Sequence, residues 1–186
     1  MTYALLNAEQ VLQFGSDDDF VALAPVGTPM PTSIDKMDPA FVEVGWIGQD
    51  TQVFTPSDSV EKRRGHQGNR VYKTRMTESS VDFSFVALQS NLQTLGLQWQ
   101  IKESSETGGV SRHVLSAAND ITEVAIVISA KANGHTYVWA CPKYEIGERS
   151  DFTLSGTQDT AYTITGTFTE DVILVTDDPN FKPRGA

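Results

Sequence analysis

The chain has 186 residues, of which 39 % are hydrophobic and 20 % are charged, a composition that suits one globular domain with a core of its own. Its formal net charge of −10 argues against a surface built to hold nucleic acid. The sequence contains no run of about 18 apolar residues that would predict a membrane span. Residues 1–9 do not resemble a secretory signal, and the single cysteine excludes an intrachain disulfide, so synthesis in a reducing cytoplasm is expected.

The charge is unevenly distributed along the chain. The window 62–75 holds six of the 14 basic residues and no acidic one, so the remainder carries 24 acidic against 8 basic residues, a formal −16. An acidic chain with one basic segment is therefore the main electrostatic feature. The basic residues of the window are Lys62, Arg63, Arg64, Arg70, Lys73 and Arg75.

The first quarter of the chain predicts two strands separated by a stiff segment. Residues 1–13 leave a helical turn and the start of a strand both open, and 20–24 predict a strand. Residues 25–33 predict an irregular segment on the surface or against a partner, because each proline fixes φ and removes a donor. Residues 41–47 predict a strand with a bulge at Gly45. The prolines used in this prediction are Pro25, Pro29 and Pro31.

The next segment predicts a long loop followed by a hairpin. Residues 49–69 are rich in turn-forming residues, and a loop of this length is usually functional or disordered. Residues 71–75 and 81–88 are predicted to pair as a hairpin, since the second run alternates apolar and polar positions with a period of two.

One short helix and a series of strands are predicted for the rest. Residues 91–96 carry leucines three apart and end at glycine, which favours a helix. Residues 97–102 predict a strand, and 103–109 a polar turn. Residues 123–131 are almost entirely apolar, so this strand should be covered on both faces, and Asn133-Gly134 after it predicts a tight hairpin turn. Further strands are predicted at 136–141, 144–146, 152–155, 162–168 and 172–176, with a polar tail at 177–186.

About ten short strands and one helix predict a mainly β protein: two packed antiparallel sheets, sandwich or barrel-like, with one short α-helix, a long loop and extended arms. Open sheet edges and arms suit pairing with copies of the same chain. We expect one domain over 1–186, with an N-terminal arm and first strand at 1–35, a long loop at 49–69 and a C-terminal tail at 177–186.

No catalytic or metal-binding constellation is evident. His66, His113 and His135 lie in polar contexts without ligand spacing for zinc, and Cys141 is best interpreted as a buried, inert thiol. The run 17–19, three aspartates, could collect a cation, although a solvated turn is favoured because the spacing of a calcium loop is missing. No cofactor is expected, and the chain is not predicted to be an enzyme.

The basic window allows three interpretations: a phosphate-binding loop, a solvated loop, or a loop that meets acidic surface on another subunit. It contains a single aromatic residue, Tyr72, and so lacks the interleaved aromatics of a single-strand nucleic-acid platform. Contact with another subunit is favoured over nucleic acid because the rest of the chain is so acidic.

Three segments resemble a known family. They are the proline-glycine string at 24–32, the run 41–48 with its Gly-Trp-Ile, and 77–95, where an alternating strand leads into a helix. Together they resemble the major tail tube proteins of long, non-contractile-tailed bacteriophages, which are related to the tubes of contractile tails and type VI secretion. The likeness covers 20–97 and is looser beyond.

The resemblance implies a structural role in the virion. Subunits of this family form hexameric rings that stack into a tube, in which inner strands close a continuous β-barrel. The tube holds the tape measure protein, later passes phage DNA, and meets the tail terminator and distal tail proteins. A channel for DNA needs walls that do not bind phosphate, so acids beside the late strands are candidates for the lumen wall: Glu145, Glu148, Asp151 and Asp159.

By the same reasoning the basic residues should face another subunit rather than the lumen. We expect 49–69 to be a stacking loop in which Lys62, Arg63 and Arg64, together with Arg70, meet carboxylates of the adjacent ring. Pro25, Pro29 and Pro31 would hold an arm against a neighbour.

The alternative function is a β-sandwich binding or adhesion module of a virion or cell surface. It would need an exposed aromatic platform, whereas Trp46, Trp99 and Trp139 lie in strand-like runs where core packing is expected.

Overall fold

The computed structural model describes residue 7 and residues 10–183. Most of these residues belong to ten strands, one α-helix and short 3-10 turns. In chain order the elements are β1 (Phe20–Ala24), β2 (Val42–Glu43), β3 (Val53–Arg64), β4 (Val71–Ala87), α1 (Leu92–Gln98), β5 (Ile101–Thr107), β6 (Val110–Leu115), β7 (Thr122–Ala132), β8 (His135–Ile146), β9 (Tyr162–Phe168) and β10 (Ile173–Thr176).

The predicted fold class is confirmed: the protein is mainly β and antiparallel, with one α-helix and a sandwich-like arrangement. Eight strands form one sheet in the order β2-β1-β7-β8-β9-β4-β3, and β10 also pairs with β8. The remaining two, β5 and β6, form a separate hairpin. Every paired neighbour runs antiparallel.

The large sheet folds over itself at β8. The start of β8 pairs with β10, and its end pairs with β9, which then pairs with β4. The β9-β4 half thereby packs against the β1-β7-β8 half, and Phe83 and Phe85 of β4 lie in one buried cluster with Ile126 and Ile128 of β7. Burying each such side chain contributes about 1.5–3 kcal/mol, so this cluster is the main source of stability.

Strand β7 is covered on both faces, as its apolar sequence predicts. Ile126 faces the sandwich core, whereas Val127 belongs to a second cluster in which Phe41, Met30 and Ile34 cover the outer face of the sheet. The predicted Asn133-Gly134 turn follows, with positive φ at both residues (52° and 81°), the backbone that a two-residue hairpin requires.

The helix begins where its sequence predicts but ends later. Asn91 is the N-cap, and its side chain accepts a hydrogen bond from the Thr94 backbone N–H while Thr94 Oγ1 accepts one from the Asn91 N–H. This reciprocal cap satisfies two of the donors that a helix start leaves open. The helix then continues through Gly96 to Gln98, because Leu97 is buried in the core.

Both terminal segments rest on the start of β8. Phe14 packs edge-on against Tyr137, and Phe181 does the same at a ring distance of 5.7 Å. The Tyr137 hydroxyl donates to the buried carboxylate of Asp178. The predictions for 1–13 and 177–186 fall partly outside the described residues.

The long loop predicted at 49–69 is wrong. Twelve of these residues form β3, which is exposed along its whole length. A strand whose residues are all exposed need not show apolar alternation, so its pattern resembles a loop, and only pairing with β4 reveals it. The hairpin predicted between 71–75 and 81–88 is also wrong, because both runs belong to the single 17-residue strand β4.

Three other predictions need correction. The strand predicted at 41–47 is reduced to β2, since Gly45 has φ 90° and turns the chain out of the sheet. The polar turn predicted at 103–109 is most of β5, and its partner β6 was not predicted. Residues 152–155 form no strand; Phe152 stacks on Tyr162 instead.

Candidate functional site: the hairpin arm and the polar sheet face

The β3–β4 hairpin extends beyond the sandwich. Its strands pair from Val53↔Ser84 to Arg64↔Val71. The last part of β4 alternates buried and partly buried residues, whereas 71–79 and all of β3 are exposed. We call 58–79 the distal arm; with about 3.3 Å per residue it is on the order of 25–35 Å long.

The predicted contact residues lie on this arm. Lys62, Arg63 and Arg64 end β3, and Arg70 directly precedes β4. All four are exposed. The arm turns at a 3-10 segment, Gln67–Asn69, which is held by a hydrogen bond from Arg64 Nη1 to the Asn69 carbonyl (3.1 Å). The basic residues are therefore brought together, on a hairpin rather than on a loop.

The cross-strand register divides the distal arm into two faces. Beyond the irregularity at Ser59/Val60, Arg63 lies opposite Lys73 and Glu61 opposite Arg75. Directly opposite residues share a face, and like charges there are destabilising. In the described part of the chain the basic window has one ion pair, Arg63 Nε to Glu61 Oε1 at 3.7 Å. This face therefore carries three bases, Arg63, Lys73 and Arg75, against one carboxylate, that of Glu61, and keeps an excess of positive charge.

The other face of the arm is apolar at its centre. Val60 pairs with Met76, and these residues are 49 % and 53 % exposed. A hairpin of two strands with no hydrophobic layer against it is marginally stable in water. The subunit core therefore gives the distal arm no stabilising apolar layer at this point.

The three prolines are not equivalent. Pro25 and Pro29 are exposed, whereas Pro31 is buried in its own subunit. The segment around Pro31 covers the sheet, with Met30 and Phe41 in the outer cluster. Pro31 therefore packs within its own subunit, because apolar side chains on both sides of it draw the segment onto its own sheet, whereas Pro25 and Pro29 are exposed and stay candidates for contact with a neighbour.

The four acids predicted to face the lumen lie in two different places, one on a strand and three in an irregular segment. Glu145 lies on β8, facing away from the core between the buried Tyr144 and Ile146. Glu148, Asp151 and Asp159 are exposed in the irregular segment between β8 and β9. The structure therefore places one of the four on a sheet and does not align the others with it.

Glu145 belongs to a polar row that crosses the sheet. The register places Glu123, Glu145, Thr167, Asp82 and Thr55 side by side on five neighbouring strands. Thr167 Oγ1 donates to Asp82 Oδ1 at 2.5 Å. The row holds three acids and two hydroxyls, and we call the surface around it the polar sheet face.

Hydroxyl groups extend this face along β9 and β4. Thr163 and Thr165 project between the buried Tyr162, Ile164 and Gly166. Ser84 pairs with Thr165 and so joins them. Sequence reasoning missed this face, although threonine at every second residue of β9 was a usable signal.

One base lies among these acids. Lys143 Nζ bridges Glu145 Oε1 (2.8 Å) and Glu123 Oε1 (2.9 Å). The hydrogen bonds that the Lys143 ammonium donates to the carboxylates of Glu145 and Glu123 raise its pKa above the ordinary value. The lysine is thus permanently charged and already neutralised in part, so it is not free to hold a phosphate group.

The side chains that could in principle carry out chemistry or bind an ion are buried or already bound to other residues. Cys141 is buried, which raises the pKa of its thiol, and this agrees with the interpretation as an inert thiol. Lys131 binds Asp18 through its Nζ (2.6 Å) and Asp19 through its backbone N–H, so these aspartates hold the N-terminal segment. Among residues 7 and 10–183, no group of three or more His, Cys, Asp or Glu side chains could hold a metal ion.

Trp46 is an exception to the expectation of core packing, because its side chain is 74 % exposed. Its backbone is fixed by hydrogen bonds with Leu88 and Gln89, which turn the ring outward. Trp139 packs against the core, and Trp99 is half-buried below Arg149. One exposed tryptophan does not form the aromatic platform that an adhesion module would need.

A mainly β subunit with an uncovered arm, open sheet edges and no catalytic cluster in its described part defines a structural, assembling protein. A family model described as "Phage tail tube protein" matches residues 6–173. The chain therefore belongs to the phage tail tube protein family, a family of structural virion proteins and not of enzymes. Members of the family assemble into a tube. The search of curated proteins found no match.

No helix within residues 7 and 10–183 is long and apolar enough to cross a membrane.

Proposed function

We propose that this chain, as a single domain, closes into hexameric rings that stack into the tube of a long, non-contractile phage tail. The tube connects head to tail tip, holds the tape measure protein before ejection and passes phage DNA afterwards. Its ends meet the terminator and distal tail proteins, and the subunit is made in the host cytoplasm. The family match supports the tube role, and the finer assignments rest on the surfaces described above.

The polar sheet face carries the proposal, as the candidate wall of the channel. Its outward side chains are mostly threonine, serine, aspartate and glutamate, with Val53 and Val86 among them, and its one base is occupied by two carboxylates. A polyanion slides past such a wall because no exposed cation holds it. Of the acids that the sequence suggested, Glu145 remains the candidate, and Asp82 and Glu123 join it.

The distal arm is the candidate stacking element. It carries Lys62, Arg63, Arg64 and Arg70 away from the sandwich, with both faces exposed. Stacked rings would cover those faces and supply carboxylates to the bases. In isolated subunits we expect the arm to be mobile and to become ordered on assembly.

Electron cryo-microscopy of the purified protein at rising concentration tests the architecture. We expect six-fold rings and tubes with β9 and the proximal half of β4 lining the channel. A different symmetry, or tubes in which the polar sheet face points outward, would overturn the proposal.

A charge variant tests the stacking role separately. The triple change Lys62→Ser, Arg63→Ser and Arg64→Ser should yield rings or short tubes and remove most of the salt dependence of stacking. A matched control removes three exposed bases elsewhere, Lys36→Ser, Lys102→Ser and Arg112→Ser. Normal tubes with an unchanged salt response in the first variant would reject the arm as the stacking element.

A further inference from the structure

The sheet divides between β9 and β10, and this division leaves one side of β10 without a neighbouring strand among the described residues. Strand β9 pairs with both β8 and β4, whereas β10 pairs with β8 alone among the described strands. The second side of β10 therefore presents unpaired backbone groups. Natural proteins usually block such an edge with charges, prolines or a covering segment.

The β10 edge is apolar, which makes its exposure unusual. Val172, Ile173 and Leu174 are 39 %, 42 % and 40 % exposed. Contiguous exposed apolar residues on an open edge mark a contact surface. The rest of each residue's surface is covered by the subunit itself, so the apolar run is half-buried rather than fully exposed.

Acidic residues precede this apolar run directly. Glu170 and Asp171 are exposed and form no ion pair with the described residues. Residues 170–174, which we call the acidic edge, thus combine two free carboxylates with three exposed apolar side chains.

The distal arm has the complementary composition. Its apolar pair, Val60 and Met76, shares one face with the base Lys62, and the other face carries the unfavourable Arg63–Lys73 pair. Carboxylates placed beside that pair would remove the like-charge repulsion. The arm and the acidic edge therefore match in both charge and apolar content, and each is uncovered in the isolated subunit.

We propose that the distal arm of one copy docks on the acidic edge of a second copy. The inference rests on the proposed assembly and names the surface that receives the arm. Within one subunit the distal arm and the acidic edge do not pair. The distal part of β4 pairs with β3 alone among the described strands, and residues 169–172 separate β9, the other neighbour of β4, from β10.

Other acidic groups are less suited to this contact. Asp18 and Asp19 hold the N-terminal segment, and Glu123 and Glu145 bind Lys143. The irregular segment with Asp151 and Asp159 exposes one leucine, Leu154, but no strand edge. These two aspartates provide the matched control.

Charge reversal in both partners is the test, read out as the critical concentration for assembly by sedimentation and electron microscopy. The change Arg63→Glu with Arg75→Glu should raise that concentration on the order of tenfold or more, since like charges then face each other. Glu170→Lys with Asp171→Lys should do the same. Combining all four changes should restore assembly to within about threefold of wild type.

The control Asp151→Lys with Asp159→Lys should assemble as wild type does and should not rescue the arm variant. Circular dichroism and the melting temperature establish that each variant is folded. Assembly that survives both single reversals, or rescue by the control instead of the acidic edge, overturns this inference while leaving the proposed function intact. A wild-type protein that forms no rings would overturn the proposed function itself.

Discussion

Strand β4 passes through two environments, and its two halves differ in burial and in the chemistry of their side chains. In the proximal half Phe83, Phe85 and Ala87 are fully buried in the sandwich. In the distal half the corresponding positions are basic, polar or half-exposed apolar residues paired only with β3. Both halves pair with β3, with register shifts only at Ser59/Val60 and Arg63/Arg64, so backbone pairing alone does not determine how stable each half is.

The comparison indicates that the proximal half of β4 stabilises the fold of the subunit, whereas the distal half is left for contacts with other copies. The proximal half is stabilised by apolar burial within the subunit. The distal half has no layer against it, and its free energy depends on what covers it. Substitutions in the two halves should therefore affect different measurements.

The largest expected effect comes from removing the distal arm. Replacing 58–79 with Asn-Gly joins Ser57 to Ser80, which are paired across the hairpin, through a tight two-residue turn. We expect assembly to be lost and the melting temperature to change little. Electron microscopy and differential scanning calorimetry measure the two quantities. A variant that no longer folds would show that the arm stabilises the core, contrary to the comparison.

Phe83→Ala tests the proximal half. The ring is fully buried and packs against Phe54, Phe85, Tyr144 and Phe168, so its removal should lower the free energy of unfolding by about 3–5 kcal/mol. Urea denaturation followed by tryptophan fluorescence gives this value. A loss below about 1 kcal/mol would contradict the assignment of the core.

Tyr137→Phe should have an intermediate effect. It removes the hydroxyl that donates to the buried Asp178 carboxylate, and a buried group left without that partner costs about 1–3 kcal/mol. The rings of Phe14 and Phe181 keep their packing against the substituted ring, so the unfolding cooperativity should be unchanged.

The same contact predicts a dependence on pH. The hydrogen bond from Tyr137 lowers the pKa of the Asp178 carboxyl below its ordinary value, and burial raises the pKa of Tyr137 to about 12. Since the folded-state pKa of Asp178 is depressed, its contribution is complete above the unfolded value of about 4 and is lost as pH falls below it. Urea denaturation between pH 7 and pH 3 should show a shallower loss in Tyr137→Phe than in wild type. Equal slopes would contradict the coupling.

Tyr72→Ala should have the smallest effect on stability. The residue lies on the distal half of the same strand and is exposed, so the unfolding free energy should change by less than about 0.5 kcal/mol. It is the matched control for Phe83→Ala, because both remove an aromatic ring from β4. A cost similar to that of Phe83→Ala would show that the arm folds against its own subunit.

The elements that sequence reasoning predicted well have a strong local signal. Strand β9 occupies 162–168 as predicted, because threonines alternate with buried residues. The Asn133-Gly134 turn and the start of α1 at Asn91 follow from local backbone chemistry. In each case neighbours along the chain carry enough information.

The sequence identified several residues of the candidate site, but it did not predict the strands on which they lie or which residues they lie beside. The charge count identified Lys62, Arg63 and Arg64 as a group, yet their strand was missed because all of its residues are exposed and its sequence lacks an apolar alternation. Glu145 was identified, whereas its partners Asp82 and Glu123 became visible only through register. Because of Pro142, the sequence predicted two strands, 136–141 and 144–146, where the structure has the single strand β8. An irregularity in the pairing with β7 accommodates the proline.

The sequence by itself determined a mainly β chain, its uneven charge and the family resemblance that the family match confirms. The tertiary structure decided which strands pair, that the basic segment is a two-stranded arm, and that acids from 82, 123 and 145 lie in one row. The physical reason is that charge and turn chemistry are properties of a residue and its neighbours. Sheet register, by contrast, depends on contacts between residues far apart in the chain, which local pattern does not encode.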